Sequence, residues 1–405
     1  MRFREHVSAR LEDLRLRGLL RAPVTSDVPT GTHVVVEGRR LLNLCSNNYL
    51  GLADDPRLRD ALAAAATRWG SAGASRLVTG SLAPHLEAEA SLARYVQLAA
   101  SRLFPSGYAA NVGAVSGLVG PGDVVFSDAL NHASLIDGCR LSRARVIVFP
   151  HRDVDALAEL LAAHRHAHRA ALIVTDAIFS MDGDVAPLAA LRSLADRFEA
   201  GLLVDEAHSL GVLGPEGRGL CAELAVQPDV LTGMLGKAFG LGGGFIAAEA
   251  DTLDLLQSTA RSYVFSTGIH AALAAVVPRV VGWVAEADDA RARLRRHRAT
   301  LAQAVPDELL GASDARPDAR VPVLPVVLGE GARALAVSAA LRERGVFGQA
   351  IRPPTVAHGT ARLRLVPIAT HTPDDIARAA EALGDILRRA EPSAARRGDD
   401  HGGER

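Results

Sequence analysis

The chain has 405 residues, 45 basic and 46 acidic, for a formal net charge of -1, and 48% of it is hydrophobic. A balanced charge with no basic run excludes a nucleic-acid surface, whose affinity comes from neutralising many phosphates. No apolar run reaches the roughly 18 residues of a membrane-spanning helix, so no membrane partner is expected.

Residues 4–20 read as an amphipathic helix, with Val7, Leu11, Leu14 and Leu20 near a 3.6-residue period. The segment mixes acids and arginines and lacks an apolar core, so it is not a secretory signal. Short strands follow around Val34–Val36 and Leu41–Leu44, and Pro56 opens a helix that Gly70 closes. From about residue 100, apolar runs at 124–126, 146–149, 172–174, 202–204 and 244–248 alternate with segments of helical period. That pattern predicts an α/β fold with a mostly parallel sheet covered on both faces. A charged helix after 285, proline-flanked strands near 321–328, a helix at 332–344 and, after Arg362, Leu363 and Leu365, a last helix at 373–389 predict a smaller α+β domain. The expected division is 1–50 as an N-terminal helix and strand segment, 51–284 as the large domain and 285–390 as the small C-terminal domain. Residues 391–405 form a polar, glycine-rich tail expected to be disordered. Cys45, Cys139 and Cys221 are far apart and odd in number, which predicts reduced thiols and a cytoplasmic location.

Forty-four of the 45 basic residues are arginine, and Lys237 is the one lysine. Alanine is also heavily used, so the arginine excess reads as coding bias. A lysine that survives such a bias is expected to act as a neutral amine, which a guanidinium cannot. In open α/β sheets ligands bind beyond the carboxyl ends of the strands. LLVDEAHSLG puts Asp205 at such an end with His208 close behind, and LTGMLGKAFGLGGG puts Lys237 in a glycine-rich exit loop. TDAIFSMDGD adds Asp176, Ser180 and Asp182. A strand-end carboxylate followed by a lone lysine suits pyridoxal 5'-phosphate, the lysine supplying an amine and the carboxylate keeping the pyridine nitrogen protonated. Taken singly, Asp205 could cap a helix and His208 could be an ordinary hydrogen-bonded histidine. A phosphate-binding P-loop fails on two counts: Leu231 stands where its first glycine is required, and Ala238 where its hydroxyl is. His164 and His168 have metal-ligand spacing on a predicted helix, but no carboxylate or cysteine is nearby, so no metal site is expected.

NNYLGL (47–52), GSAGASRLVTG (70–80), SGYAAN (106–111), NHASLIDG (131–138), TDAIFSMDGD (175–184), VDEAHSLGVLGPEGRG (204–219), GKAFG (236–240) and IRPPTVAHGTARLRL (351–365) together resemble the α-oxoamine synthases. The resemblance runs over residues 40–370 in order and spacing. It implies the aspartate aminotransferase-like fold (fold type I), with a seven-stranded, mostly parallel sheet and a smaller α+β C-terminal domain. It also implies pyridoxal phosphate as cofactor and condensation of an amino acid with an acyl thioester. IRPPTV followed by GTARLRL is most similar to the branch that uses L-alanine and a pimeloyl thioester, carried by coenzyme A or a carrier protein.

The resemblance assigns roles by position. Lys237 would hold the cofactor covalently and then act as base, Asp205 would pair with the ring nitrogen, and His132 would stack on the ring. His208 and Ser180 would reach its phenolic oxygen. Gly107 and Tyr108 would offer backbone N–H groups to the phosphate. Ser266 and Thr267 would reach the phosphate of a neighbouring subunit in a homodimer with shared sites. Arg364 would clamp the amino-acid carboxylate, Asn47 would line the pocket, and Arg21 and Arg352 would contact the acyl substrate. One position departs from the pattern: the family's hydroxyl three residues before the lysine is Met234 here. Two rivals remain. One is the same chemistry on glycine, serine or another acyl chain; the other is a catalytically silent scaffold, which would be colourless.

Overall fold

The computed structural model describes residues 1–389 apart from 22, 27, 30 and 312–315. The predicted tail, 391–405, lies outside the described residues. Thirteen strands occur among them: β1 (His33–Val36), β2 (Arg39–Asn43), β3 (Ala100–Phe104), β4 (Val124–Asp128), β5 (Arg145–Phe149), β6 (Ala171–Asp176), β7 (Gly201–Asp205), β8 (Val230–Met234), β9 (Gly244–Ala248), β10 (Leu324–Gly329), β11 (Val346–Phe347), β12 (Gln349–Ile351) and β13 (Ala361–Leu365).

The main sheet has seven strands in the order β3-β9-β8-β7-β6-β4-β5. Its pairings are parallel from β8 through β5, and β9 alone runs antiparallel, against both β3 and β8. The apolar runs of β4, β6, β7 and β9 are continuous because those strands are buried on both faces, whereas the edge strand β5 leaves Val146 and Val148 exposed. Val124, Phe126, Ile173, Leu202 and Val204 enter one core. Their neighbours Val125, Leu172, Val174 and Leu203 enter the other, against the helices Gly107–Leu118 and Ala133–Ser142. Burial of this kind contributes about 25 cal/mol per Å² of apolar surface removed from water, so polar residues are pushed to the strand ends. Asp128, Asp176 and Asp205 end β4, β6 and β7 on the same edge of the sheet.

Antiparallel β10-β13-β12 forms a second sheet, and β1-β2-β11 a third in which β2 runs parallel to β11. Leu42 and Leu44 share a core with Leu301, Leu363 and Leu383, so the N-terminal strands pack with the C-terminal part of the chain. The first helix spans Phe3–Leu16, shorter than its apolar period suggests, and buries none of its residues. Gly18 (φ 62°) takes the left-handed turn that stops it. The helix before β6 ends at His164, and His168 Nδ1 donates to the His164 carbonyl at 2.8 Å. That contact caps the helix end instead of pairing two ligands. Among the described residues no helix is long and apolar enough to cross a membrane.

Candidate active site

A cavity of about 360 Å³ opens beyond the carboxyl ends of β6, β7 and β8. Asn47, Gly107, Tyr108, His132, Ser180, Asp205, His208, Lys237 and Arg364 all line it. Nine candidates from seven separate stretches of chain therefore meet at one place.

Asp205 is buried, with donors on both oxygens: Asn111 Nδ2 on Oδ2 at 2.6 Å and the Ala207 N–H on Oδ1 at 2.9 Å. Asn111 sits one turn into the helix Gly107–Leu118, so it lies on the same face as Gly107. It also donates to Ser134 Oγ (2.8 Å) and accepts the Thr232 hydroxyl (2.6 Å). Thr232 is thus committed to orienting the amide that braces Asp205. Asp176 pairs in register with Asp205 on the adjacent strand. Burial first and the Asp205 charge second push its carboxyl well above the ordinary range. The His132 N–H donates to Asp176 Oδ2 at 2.7 Å. His132 caps the helix Ala133–Ser142, its Nδ1 accepting from the Ser134 N–H. An accepting Nδ1 leaves the proton on Nε2, and burial lowers the ring's pKa.

Lys237 lies in the tight connection between antiparallel β8 and β9, closed by Leu235 N–H to the Gly243 carbonyl at 3.0 Å. Gly240 (φ 67°) cannot be replaced there, because a Cβ would come within 2.4 Å of the Ala53 nitrogen. Burial lowers the Lys237 amine to about 8, with Asp205 and Asp176 opposing the shift. His208 is pushed well below the usual histidine value by burial, then by the Lys237, Arg364 and His132 charges. Its Nδ1 lies 2.6 Å from the Tyr49 hydroxyl. With that hydroxyl donating, the neutral ring turns an Nε2–H donor outward. Arg364 donates from Nε to the Ser180 carbonyl (2.6 Å) and from Nη2 to Asn47 Oδ1 (3.1 Å). Arg362, two residues earlier on the same strand, forms a buried ion pair with Asp182. β13 thereby grips the Ser180–Asp182 turn.

Gly107 and Tyr108 begin a helix that Ser106 caps by accepting the Ala109 N–H at 3.1 Å. First-turn N–H groups have no intrahelical acceptor and carry the positive end of the helix dipole. Met234 packs against this corner: a Cβ built on Gly107 would sit 3.2 Å from Met234 Cβ. A hydroxyl here would face the same anion position. Met234→Thr is therefore expected to tighten pyridoxal phosphate binding by about 1 kcal/mol, roughly fivefold, in absorbance titrations of the cofactor-free protein. Unchanged affinity would mean the anion lies elsewhere.

Ser266 and Thr267 do not line this cavity; Thr267 bridges to Ser75 in the glycine-rich stretch. Arg21 and Arg352 lie outside it as well. Arg21 Nη2 donates to Thr355 Oγ1 (2.7 Å), and Arg352 Nη1 to the Gly18 carbonyl (2.9 Å). Asn111, Ser134 and Tyr49 were not singled out by sequence, and neither was the proximity of Asp176 to Asp205. Adjacent strands both ending in aspartate were the available signal for the last.

A half-buried lysine amine and a braced carboxylate at the strand ends of a seven-stranded α/β sheet, facing a helix N-terminus, are what a pyridoxal-phosphate-dependent enzyme of the aspartate aminotransferase-like fold requires. The aminotransferase class I and II family matches residues 39–383. The 8-amino-7-oxononanoate synthase of Anaeromyxobacter dehalogenans (strain 2CP-1) is 49% identical over 398 residues, covering 96% of this chain and 98% of that protein. The serine palmitoyltransferase of Sphingomonas wittichii superposes with a TM-score of 0.87 at 30% identity, covering 95% and 97% of the two chains. A lysine-to-alanine variant of the serine palmitoyltransferase of S. paucimobilis, solved with a bound PLP–myriocin aldimine, gives 0.86 at 28% identity and the same coverage. The chain belongs to the class I and II aminotransferase family and, within it, to the 8-amino-7-oxononanoate synthases. The donor set suits pyridoxal phosphate, with unpaired first-turn N–H groups for a phosphate, a buried carboxylate for a ring nitrogen and a lysine amine within the same cavity.

Proposed function

We propose that this chain joins L-alanine to a pimeloyl thioester, giving 8-amino-7-oxononanoate, carbon dioxide and the free thiol, in biotin biosynthesis. The observation that carries the chemistry is the sole lysine, lining one cavity with Asp205 and Arg364. The choice of substrates rests on near full-length similarity to proteins of that name. When bound, pyridoxal phosphate supplies a carbonyl for amine capture and a ring that accepts the electron pair released at the substrate Cα.

The protein's own groups do the rest. Lys237, neutral in part near physiological pH, removes the alanine Cα proton and returns one after carbon dioxide leaves. Asp205, its Oδ2 fixed by Asn111, would keep the ring nitrogen of the bound cofactor protonated. His132 would stack on the ring, and His208 and Ser180 would reach its phenolic oxygen. Arg364 uses the Nη1 end of its fork for the alanine carboxylate, because Ser180 and Asn47 occupy the other edge. Gly107 and Tyr108 would hold the phosphate with the N–H groups of the first helical turn. Ser266 and Thr267 complete the site of a second protomer, which makes the working unit a homodimer. Arg21 and Arg352, which reach Thr355 and Gly18, would contact the acyl substrate. Three free thiols accord with a cytoplasmic location.

The test is a matrix of alanine, glycine and serine against pimeloyl-CoA, pimeloyl carrier protein and palmitoyl-CoA, read by mass spectrometry. 8-Amino-7-oxononanoate from alanine and a pimeloyl donor is the expected product. Turnover of serine with palmitoyl-CoA instead would reassign the substrates, and a colourless protein silent in every well would leave the scaffold reading.

A further inference from the structure

Two of the turns that wall the cavity are tied together by a histidine outside it. His151 follows β5, and its ring stands between two carboxylates: Nδ1 is 2.9 Å from Asp128 Oδ1, and Nε2 is 2.8 Å from Asp184 Oδ2. Both acids are almost fully buried, at 2% and 1% exposure. An ionised carboxylate only accepts, so each ring nitrogen must donate, and only the imidazolium carries two N–H groups.

Each acid organises a turn. Asp128 takes the Leu130 N–H on Oδ1 (2.8 Å) and the Arg152 N–H on Oδ2 (2.9 Å). Three residues beyond it, Asn131 donates to the Val174 carbonyl (2.8 Å) and accepts the Asp176 N–H (3.0 Å), which fixes the approach to His132. Asp184 closes the other turn, its carbonyl accepting the Phe179 N–H at 3.0 Å while the Phe179 carbonyl accepts the Gly183 N–H at 2.8 Å. Ser180 sits at the head of that turn. The Phe179 ring lies edge-on to the imidazole at 4.3 Å and shields it.

We infer that His151 is a positioning residue: as an imidazolium bridging Asp128 and Asp184 it fixes the separation of the turns that present His132 and Ser180 to the cofactor. This rests on the pyridoxal phosphate reading above. The charged groups facing the ring are Asp128 from the end of β4 and Asp184 from the Phe179–Asp184 turn. Arg152, beside it, also reaches Asp184 Oδ2 at 3.2 Å. Two buried carboxylates therefore meet two cations, and loss of the imidazolium proton strands one negative charge. Burial alone would lower the His151 pKa; the hydrogen bonds and charges of Asp128 and Asp184 outweigh it and raise it to about 9. The folded value lies above the ordinary 6.5. The clamp's stabilisation is accordingly complete below the ordinary value and is lost as pH rises through about 9.

The experiment follows the histidine ring nitrogens of the full-length protein by NMR, without and with pyridoxal phosphate. His151→Gln identifies the signal by its disappearance. Both His151 nitrogens should stay protonated through neutrality and titrate near 9. Asp184→Asn, which keeps the shape of the turn, should bring that titration down toward the ordinary histidine range. In parallel, cofactor dissociation constants are measured across pH. His151→Gln should weaken binding about tenfold near neutrality, and Asp184→Asn should move the alkaline loss of affinity to lower pH. Titration of His151 in the ordinary range or below would overturn the inference. So would variants that bind as the unaltered protein does with an unchanged pH profile. Failure of the unaltered protein to take up pyridoxal phosphate on Lys237 would overturn the functional reading instead, and the His151 titration would still decide the clamp.

Discussion

Lys237→Ala is expected to remove covalent cofactor attachment completely and to lower the condensation rate by about 10³-fold or more, since it deletes both the amine that captures the cofactor and the base at Cα. The composition of this chain makes the experiment unusually clean. With one lysine in 405 residues, a borohydride-reduced adduct can form only at Lys237 or at the N-terminal amine. Peptide mapping therefore gives a two-way answer. The pH dependence follows from burial, which lowers the amine to about 8 by disfavouring its charged form. Uptake of cofactor should accelerate as pH rises through that value, where an ordinary lysine would need more than two further pH units. A variant that retained full turnover, or an adduct mapping to the N-terminus alone, would remove Lys237 from the mechanism.

Much of the main sheet could be read from the chain because doubly buried strands leave continuous apolar runs with polar residues at their ends. Asp205 was legible for the same reason, standing directly after such a run, and Lys237 as the one lysine of the chain in a glycine-rich loop. The partners that hold them in place were not. Asn111 contacts Asp205 across 94 positions of sequence and Thr232 across 121, and nothing local in SGYAAN marks the amide as inward-facing beyond its one-turn spacing from Gly107. The packing of β2 beside β11 was equally hidden, because a parallel pairing between distant segments leaves no turn signal. Motif resemblance supplied the candidates at Ser266, Thr267, Arg21 and Arg352. None of these four lines the cavity of the single chain. His151 escaped notice because its importance lies in two acids, 23 and 33 residues away, which only the folded turns bring to either side of its ring.

Asp205→Asn should lower kcat on the order of 10²–10³-fold, the usual loss when a preorganised charge that stabilises the transition state is removed. The amide keeps the size of the side chain; its oxygen can accept from the Ala207 N–H, and its NH2 can donate to Asn111 once that amide flips, which the Thr232 and Ser134 hydroxyls accommodate, so the fold should be retained and circular dichroism unchanged. It cannot hold a proton on a pyridine nitrogen, and the electron pair released at Cα then loses its sink. Two neighbours should report the same substitution independently of turnover. The Lys237 ammonium is supported first by Asp205 and then by Asp176, against the burial that lowers it. Removing the first of these charges should move the amine below about 8, so cofactor uptake in the variant should reach its plateau at lower pH. Asp176 is held up by burial first and by the Asp205 charge second. Neutralising Asp205 should therefore let the Asp176 carboxyl titrate at lower pH, though still above an ordinary aspartate, because burial remains. A fall in kcat with no movement of the Lys237 limb would separate the ring-nitrogen role of Asp205 from its electrostatic support of the lysine. A normal kcat would deny the carboxylate any part in the chemistry.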